Sequence, residues 1–166
     1  MSQQAVLISV MLCQFNVSIM KFPARDPRMS AFHAAIDPVN ALAEAHPGFL
    51  WRHLDDGADP DAVAFLGPNH LANLSAWQSL DLLMAFVHHP AHRAIMIRRD
   101  EWFLHGGEAL AVLWTQADET SWPTMAEGIT RLRQLRSHGP SERAFHFAWA
   151  RQQGLLQRDP GFSVWD

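Results

Sequence analysis

The sequence predicts an α+β fold in which an antiparallel, ferredoxin-like sheet carries helices on one face. Three observations lead there: an alternating stretch from Met11 to Ile19, helical spacing of the apolar residues that follow it, and an element order that contains β-α-β-β-α-β.

In the first strand Leu12, Gln14, Asn16 and Ser18 fall on one face, and Met11, Cys13, Phe15, Val17 and Ile19 on the other. Asp26-Pro27 opens a helical stretch from Met29 to Ala45, with Pro38 placed to kink it and Pro47-Gly48 to end it. Phe49 to Leu54 and Leu71 to Trp77 read as strands two and three, joined by a polar connection from Asp55 to Asn69. Ser79 is a candidate N-cap for a helix through Leu80, Leu83, Met84 and Val87, and Pro90 interrupts that helix. A second helical piece is expected from Ala91 through Phe103. Ala109 to Thr115 then reads as a strand, Pro123 to Leu135 as a helix, and Ala144 to Trp149 as a short last strand.

The 166 residues suit one domain over residues 11–150, with an N-terminal extension at 1–10 and a C-terminal tail at 151–166. Hydrophobic residues make up 48% and charged ones only 18%, so part of the apolar surface is expected to meet a partner subunit. A sheet covered on one side only leads to the same expectation, because two copies paired across a two-fold axis would cover the open faces. The net charge of −4 offers no general attraction for nucleic acid. The apolar run Ala5 to Leu12 is too short to span a bilayer and lacks a basic flank, so no membrane role is expected. The single cysteine, Cys13, lies in that apolar stretch as a packing residue and suits a reducing, cytoplasmic setting.

Chemistry is sought first at His88, His89 and His92, which surround Pro90 at a helix break. No His-Glu-x-x-His motif, cysteine pair or nearby carboxylate accompanies them, which argues against a zinc site. His92 stands apart because Ile95, Met96 and Arg99 follow at one and two helical turns, placing its ring beside apolar walls and a cation. A neutral imidazole there suits a general base or the axial ligand of a haem iron. Arg98, Arg99 and Glu101 form a charge group beside Trp102, either a solvated ion-paired face or an anchor for an anionic group. Asn16 is a polar residue where strands disfavour Asn, and Trp77 closes the third strand. No phosphate loop, nucleophile elbow or paired acids stand out.

The stretch Leu74-Ser75-x-Trp77-x-Ser79-x-x-x-Leu83-x-x-Phe86, with His92-Arg93 and then Arg98-Arg99-x-Glu101-Trp102-Phe103, resembles the bacterial family catalogued as domain of unknown function 3291. Gln14-x-Asn16, Asp26-Pro27-x-Met29, Pro47-Gly48-Phe49-x-Trp51-Arg52 and Leu135-x-x-His138-Gly139-Pro140 match it as well, so the resemblance runs from about Leu12 to Phe147. That family is similar to the dimeric α/β barrels, which include cofactor-free antibiotic-biosynthesis monooxygenases, haem-degrading monooxygenases and a haem-dependent carotenoid monooxygenase. In the haem-degrading relatives an Asn, a Trp and a His form the site. Asn16 and His92 take the corresponding places here, and Phe86 stands where those relatives carry the Trp.

The resemblance implies a homodimer and a haem-dependent, monooxygenase-like enzyme acting on a small apolar or secondary-metabolite substrate. His92 would be the iron ligand, Arg98 or Arg99 would anchor a propionate, Phe86 and Trp102 would flank the cofactor, and Asn16 and Trp77 would shape the substrate side. The alternatives are a cofactor-free monooxygenase or cyclase with His92 as general base, and a non-catalytic small-molecule-binding protein.

Overall fold

The computed structural model describes residues 10–54, 60–117 and 121–157. Most of the expected N-terminal extension, the start of the polar connection after strand two, and Phe162, Val164 and Trp165 of the tail lie outside the described residues.

In chain order the elements are β1 (Val10–Met20), α1 (Ser30–Glu44), β2 (Phe49–Arg52), α2 (Pro60–Leu66), β3 (His70–Trp77), α3 (Leu80–Val87), α4 (Pro90–Ile97), β4 (Phe103–Leu104), β5 (Ala111–Ala117), α5 (Met125–His138) and α6 (Phe147–Gln152). The sheet is antiparallel throughout, with β1 at its centre. β3 lies along one edge of β1 and carries β2 on its outer side, while β4 and β5 share the opposite edge. Asn16 sits across from Asn73 on β3 and from Ala111 on β5. This is the ferredoxin-like α+β arrangement the element order predicts.

The alternation of β1 sorts its residues as expected, yet both faces are buried. Met11, Cys13, Phe15 and Val17 pack with Leu74, Val112 and Trp114 of the sheet, with Met125, Ile129, Leu132 and Leu135 of α5, and with Ala62 and Leu66 of α2. On the opposite face Leu12, Trp77 and Leu113 meet Ala43 of α1, Leu83, Met84, Phe86 and Val87 of α3, and Phe147 and Ala150 of α6. The face reserved for a partner subunit is therefore covered by α5 and α2 of the same chain. Among the described residues, the face that suggested a second sheet against it is covered from within the chain.

The close approach of α5 depends on Gly128, because a Cβ at that position would lie 2.6 Å from the ring of Phe15. Phe15 is wholly buried and has nowhere to move.

Three local expectations need correction. The connection from Asp55 to Asn69 contains α2, whose first residue, Pro60, has its ring geometry ready for a helix start, and whose Ala62 and Leu66 seal the core. The helix expected to reach Phe103 ends at Ile97. A 3-10 turn at Arg99–Glu101 then swings Trp102 and Phe103 into a cluster with Met20 and Met29, and Phe103 pairs with Met20 as β4. The last strand expected at Ala144 to Trp149 is reduced to two isolated bridges, Ala144 to Ser141 and Phe145 to Leu113, followed by α6, whose N-cap His146 accepts from the Trp149 amide at 3.1 Å. A six-residue apolar run does not by itself separate strand from buried helix.

Gly128→Ala is expected to push α5 off β1 and to destabilise the fold by about 1–3 kcal/mol, read from urea or thermal unfolding. Retention of full stability would show that α5 is not seated as described.

Candidate functional site

The large cavity lies between the sheet and the helices α1, α3 and α4, on the face opposite α5, and has a volume of about 540 Å³. That is the size range of small-molecule sites. Its floor comes from β1 and β3, its inner wall is apolar and aromatic, and Arg52, His53, Asn40, Asp37 and Arg99 bring polar groups to its rim.

The aromatic wall is a continuous row. The ring of His92 lies 4.8 Å from that of Phe86, Phe86 stacks on Trp77 at 5.2 Å and 28°, and Phe49 meets Trp77 edge-on at 5.4 Å. Local folding explains the row. Ser79 caps α3, its hydroxyl accepting from the Leu82 amide at 3.3 Å, so the helix starts directly after β3 and Phe86 comes back over Trp77. Pro90 then forces a new start, and α4 returns with His92, Ile95 and Met96 on the cavity lining, joined by Arg99 from the 3-10 turn that follows.

His92 Nδ1 is 3.0 Å from the carbonyl oxygen of Val87, the last residue of α3. A carbonyl only accepts, so Nδ1 carries the proton and Nε2 keeps the lone pair. The contact also satisfies one of the carbonyls a helix end leaves over. Burial pushes the His92 pKa below its usual 6.5, the Val87 hydrogen bond opposes this, and neighbouring His88 and His89 add to the lowering. The ring is thus neutral near pH 7.

The floor carries a polar row on the same face of β1 and β3. Trp77 Nε1 donates to Ser75 Oγ at 3.0 Å, Ser75 Oγ donates to Gln14 Oε1 at 3.0 Å, and Gln14 Nε2 donates to Asn16 Oδ1 at 2.8 Å. Gln14 and Asn16 are the buried polar side chains among the described residues.

Of the residues the sequence singles out, Asn16, Trp77, Phe86, His92, Arg99 and Trp102 line this one cavity. Arg98 does not. It is exposed, holds Glu101 through two bonds of 2.8 and 2.9 Å, and lies over the Trp102 ring at 4.9 Å. Of the two arginines, Arg99 lines the cavity. Among the described residues no group of three His, Cys, Asp or Glu side chains is placed to hold a metal ion, and His88 turns its Nδ1 to the Met84 carbonyl instead. Gln14 and Ser75 were missed. Gln14 shares the alternating face of Asn16, and Ser75 stands two residues before Trp77, so the period of two was the available signal.

A family model described as Domain of unknown function (DUF3291) matches residues 11–158. The chain belongs to that family. No curated protein matches this family member in sequence. Among solved structures it is similar to Rv0793 from Mycobacterium tuberculosis, at 14% identity over 67% of this chain and 97% of that one, with a TM-score of 0.47. It is also similar to a protein from Nitrosomonas europaea provisionally named an antibiotic biosynthesis monooxygenase, at 12% identity over 68% and 94% of the two chains, with a TM-score of 0.48. SnoaB, a cofactor-independent oxygenase from Streptomyces nogalater, matches at 13% identity over 70% and 99%, with a TM-score of 0.43. Among the described residues of this DUF3291 protein no helix is long and apolar enough to cross a membrane.

NMR titration of the His92 ring is expected to give a midpoint below 6.5. Because the folded-state pKa is lowered, stability from this group is complete above the unfolded value and is lost as pH falls below about 6.5. A midpoint above 6.5 would contradict the desolvated, neutral ring.

Proposed function

We propose that this chain is an enzyme in which His92 takes a proton from a small, largely apolar substrate, in the manner of a cofactor-free oxygenase or cyclase. The observation that carries this reading is the state of His92: a neutral ring on an aromatic cavity wall, its Nδ1–H held by Val87 and its Nε2 lone pair left to accept. A base that stays unprotonated at neutral pH is competent throughout the physiological range. Proton transfer to Nε2 leaves an imidazolium and a substrate anion. In the oxygenase case a carbanion reduces dioxygen, the new C–O bond forms, and the imidazolium returns its proton, so that R–H and O₂ give R–OOH. Trp77 and Phe86 exclude water from the reacting centre, and Asn16 contacts the substrate from the floor.

The same tautomer favours a second reading. An imidazole whose other ring nitrogen is held by a carbonyl is oriented as a metal ligand. The residues fit haem in part: His92 Nε2 suits the iron, Phe86 and Trp102 suit the ring, and Arg99 on the cavity wall suits a carboxylate, whereas Arg98 is held by Glu101 away from the cavity. Haem would supply activation of dioxygen. A homodimer, in either reading, would join surfaces other than the sheet faces, which the chain's own helices cover.

His92→Gln retains a side-chain N–H for the Val87 carbonyl but offers no base. Dioxygen consumption with naphthols as probe substrates is expected to fall by about 10²–10⁴-fold, with binding little changed. Full activity in this variant would sink the first reading. Hemin added to the purified protein separates the second: a Soret band that shifts in His92→Gln supports it, and no band sinks it. Binding without turnover and without dependence on His92 would leave a carrier.

A further inference from the structure

We infer that the hydrogen-bond chain under the cavity fixes Asn16 as a donor, so that the site selects ligands carrying an acceptor oxygen, a carbonyl or a phenolate, at its floor. The inference rests on the proposed use of this cavity for a small molecule, and concerns which molecule it takes.

The direction of the chain follows from its first member. The Trp77 indole N–H can only donate, and it donates to Ser75 Oγ. The Ser75 hydroxyl in turn donates its single proton in a hydrogen bond to Gln14 Oε1. With Oε1 engaged, Gln14 turns its amide N–H₂ to Asn16, which must answer with Oδ1. What remains of Asn16 is its own N–H₂ group, at the end of the chain and on the cavity lining, with no partner among the described residues. Reversing both amides would place two donors on Ser75 Oγ and leave its hydroxyl proton without this acceptor. Each link also polarises the next, making the terminal N–H₂ a better donor.

The surroundings make this donor selective. Asn16 is buried, and the aromatic wall of Phe49, Trp77 and Phe86 admits a flat apolar body. A ligand that brought a second donor to the floor would meet N–H₂ and leave both groups unpaired, while an acceptor oxygen completes the row. Ser75 and Gln14 touch no substrate in this scheme. They are positioning residues that act through Asn16.

Three tricyclic probes of nearly one shape test this: 9-fluorenone with a carbonyl, fluorene with neither donor nor acceptor, and carbazole with an N–H. Binding to the full chain is read from tryptophan fluorescence and calorimetry. Fluorenone is expected to bind about tenfold tighter than carbazole, with fluorene between them. Asn16→Asp, which offers the cavity an acceptor, is expected to reverse the order. Ser75→Ala is expected to bring the fluorenone to carbazole ratio close to one, and Ser75→Thr, which keeps the hydroxyl, to restore it. A purely structural role for Ser75 would weaken all three probes alike and leave the ratio intact. Equal binding of the probes by the unaltered chain, no binding of fluorenone, or a preference for carbazole would overturn the inference. Because the measurement needs no turnover, its failure leaves the role of His92 untouched, and loss of the His92 role leaves the probe order standing.

Discussion

The fold depends on the burial of β1 on both of its faces. Its odd-numbered residues, from Met11 to Val17, form an apolar seam beneath α5 and α2, while on the other face Leu12 packs against α1, α3 and α6 and Gln14, Asn16 and Ser18 line the cavity. The first face pays for the second. Apolar burial stabilises in rough proportion to area, so a strand sealed on one side tolerates Gln14 and Asn16 on the other, provided each is hydrogen-bonded. The polar row therefore depends on the helix on the far side of the sheet, and that helix seats only because position 128 has no side chain.

Much of this was legible in the sequence. The period of two gave β1 with its faces correct, β3 was read as a strand, and Ser79 and Pro90 marked the start of α3 and the break before α4. Helical spacing placed His92, Ile95, Met96 and Arg99 together, and all four line the cavity although α4 ends before Arg99. The site was less legible where it depends on contacts between strands. Gln14 and Ser75 lie 61 positions apart, and only the register of β1 against β3 brings them to 3.0 Å. Arg98 and Arg99 look alike in sequence, yet Arg98 caps the end of α4 and turns to Glu101, while Arg99 opens the 3-10 turn that follows and lies on the cavity wall.

The second cover of the sheet was illegible for a different reason. The α5 helix was foreseen as an element, but nothing in its periodicity says which face it covers. The wide span between β1 and α5 is closed only by tertiary packing, and α2 was concealed in a stretch whose Asp, Gly and Pro content reads as a loop. One of the grounds for expecting a dimer, an open sheet face, drew on this gap.

The two nitrogens of His92 answer to different demands. Nδ1 meets a carbonyl at the carboxyl end of α3, a contact that serves the fold whatever the cavity holds, whereas Nε2 takes no part in it. A descendant that lost its substrate altogether would still be held to this histidine, or to another donor of the same reach. Its persistence through a lineage would accordingly record the architecture of a helix break as much as the survival of a reaction.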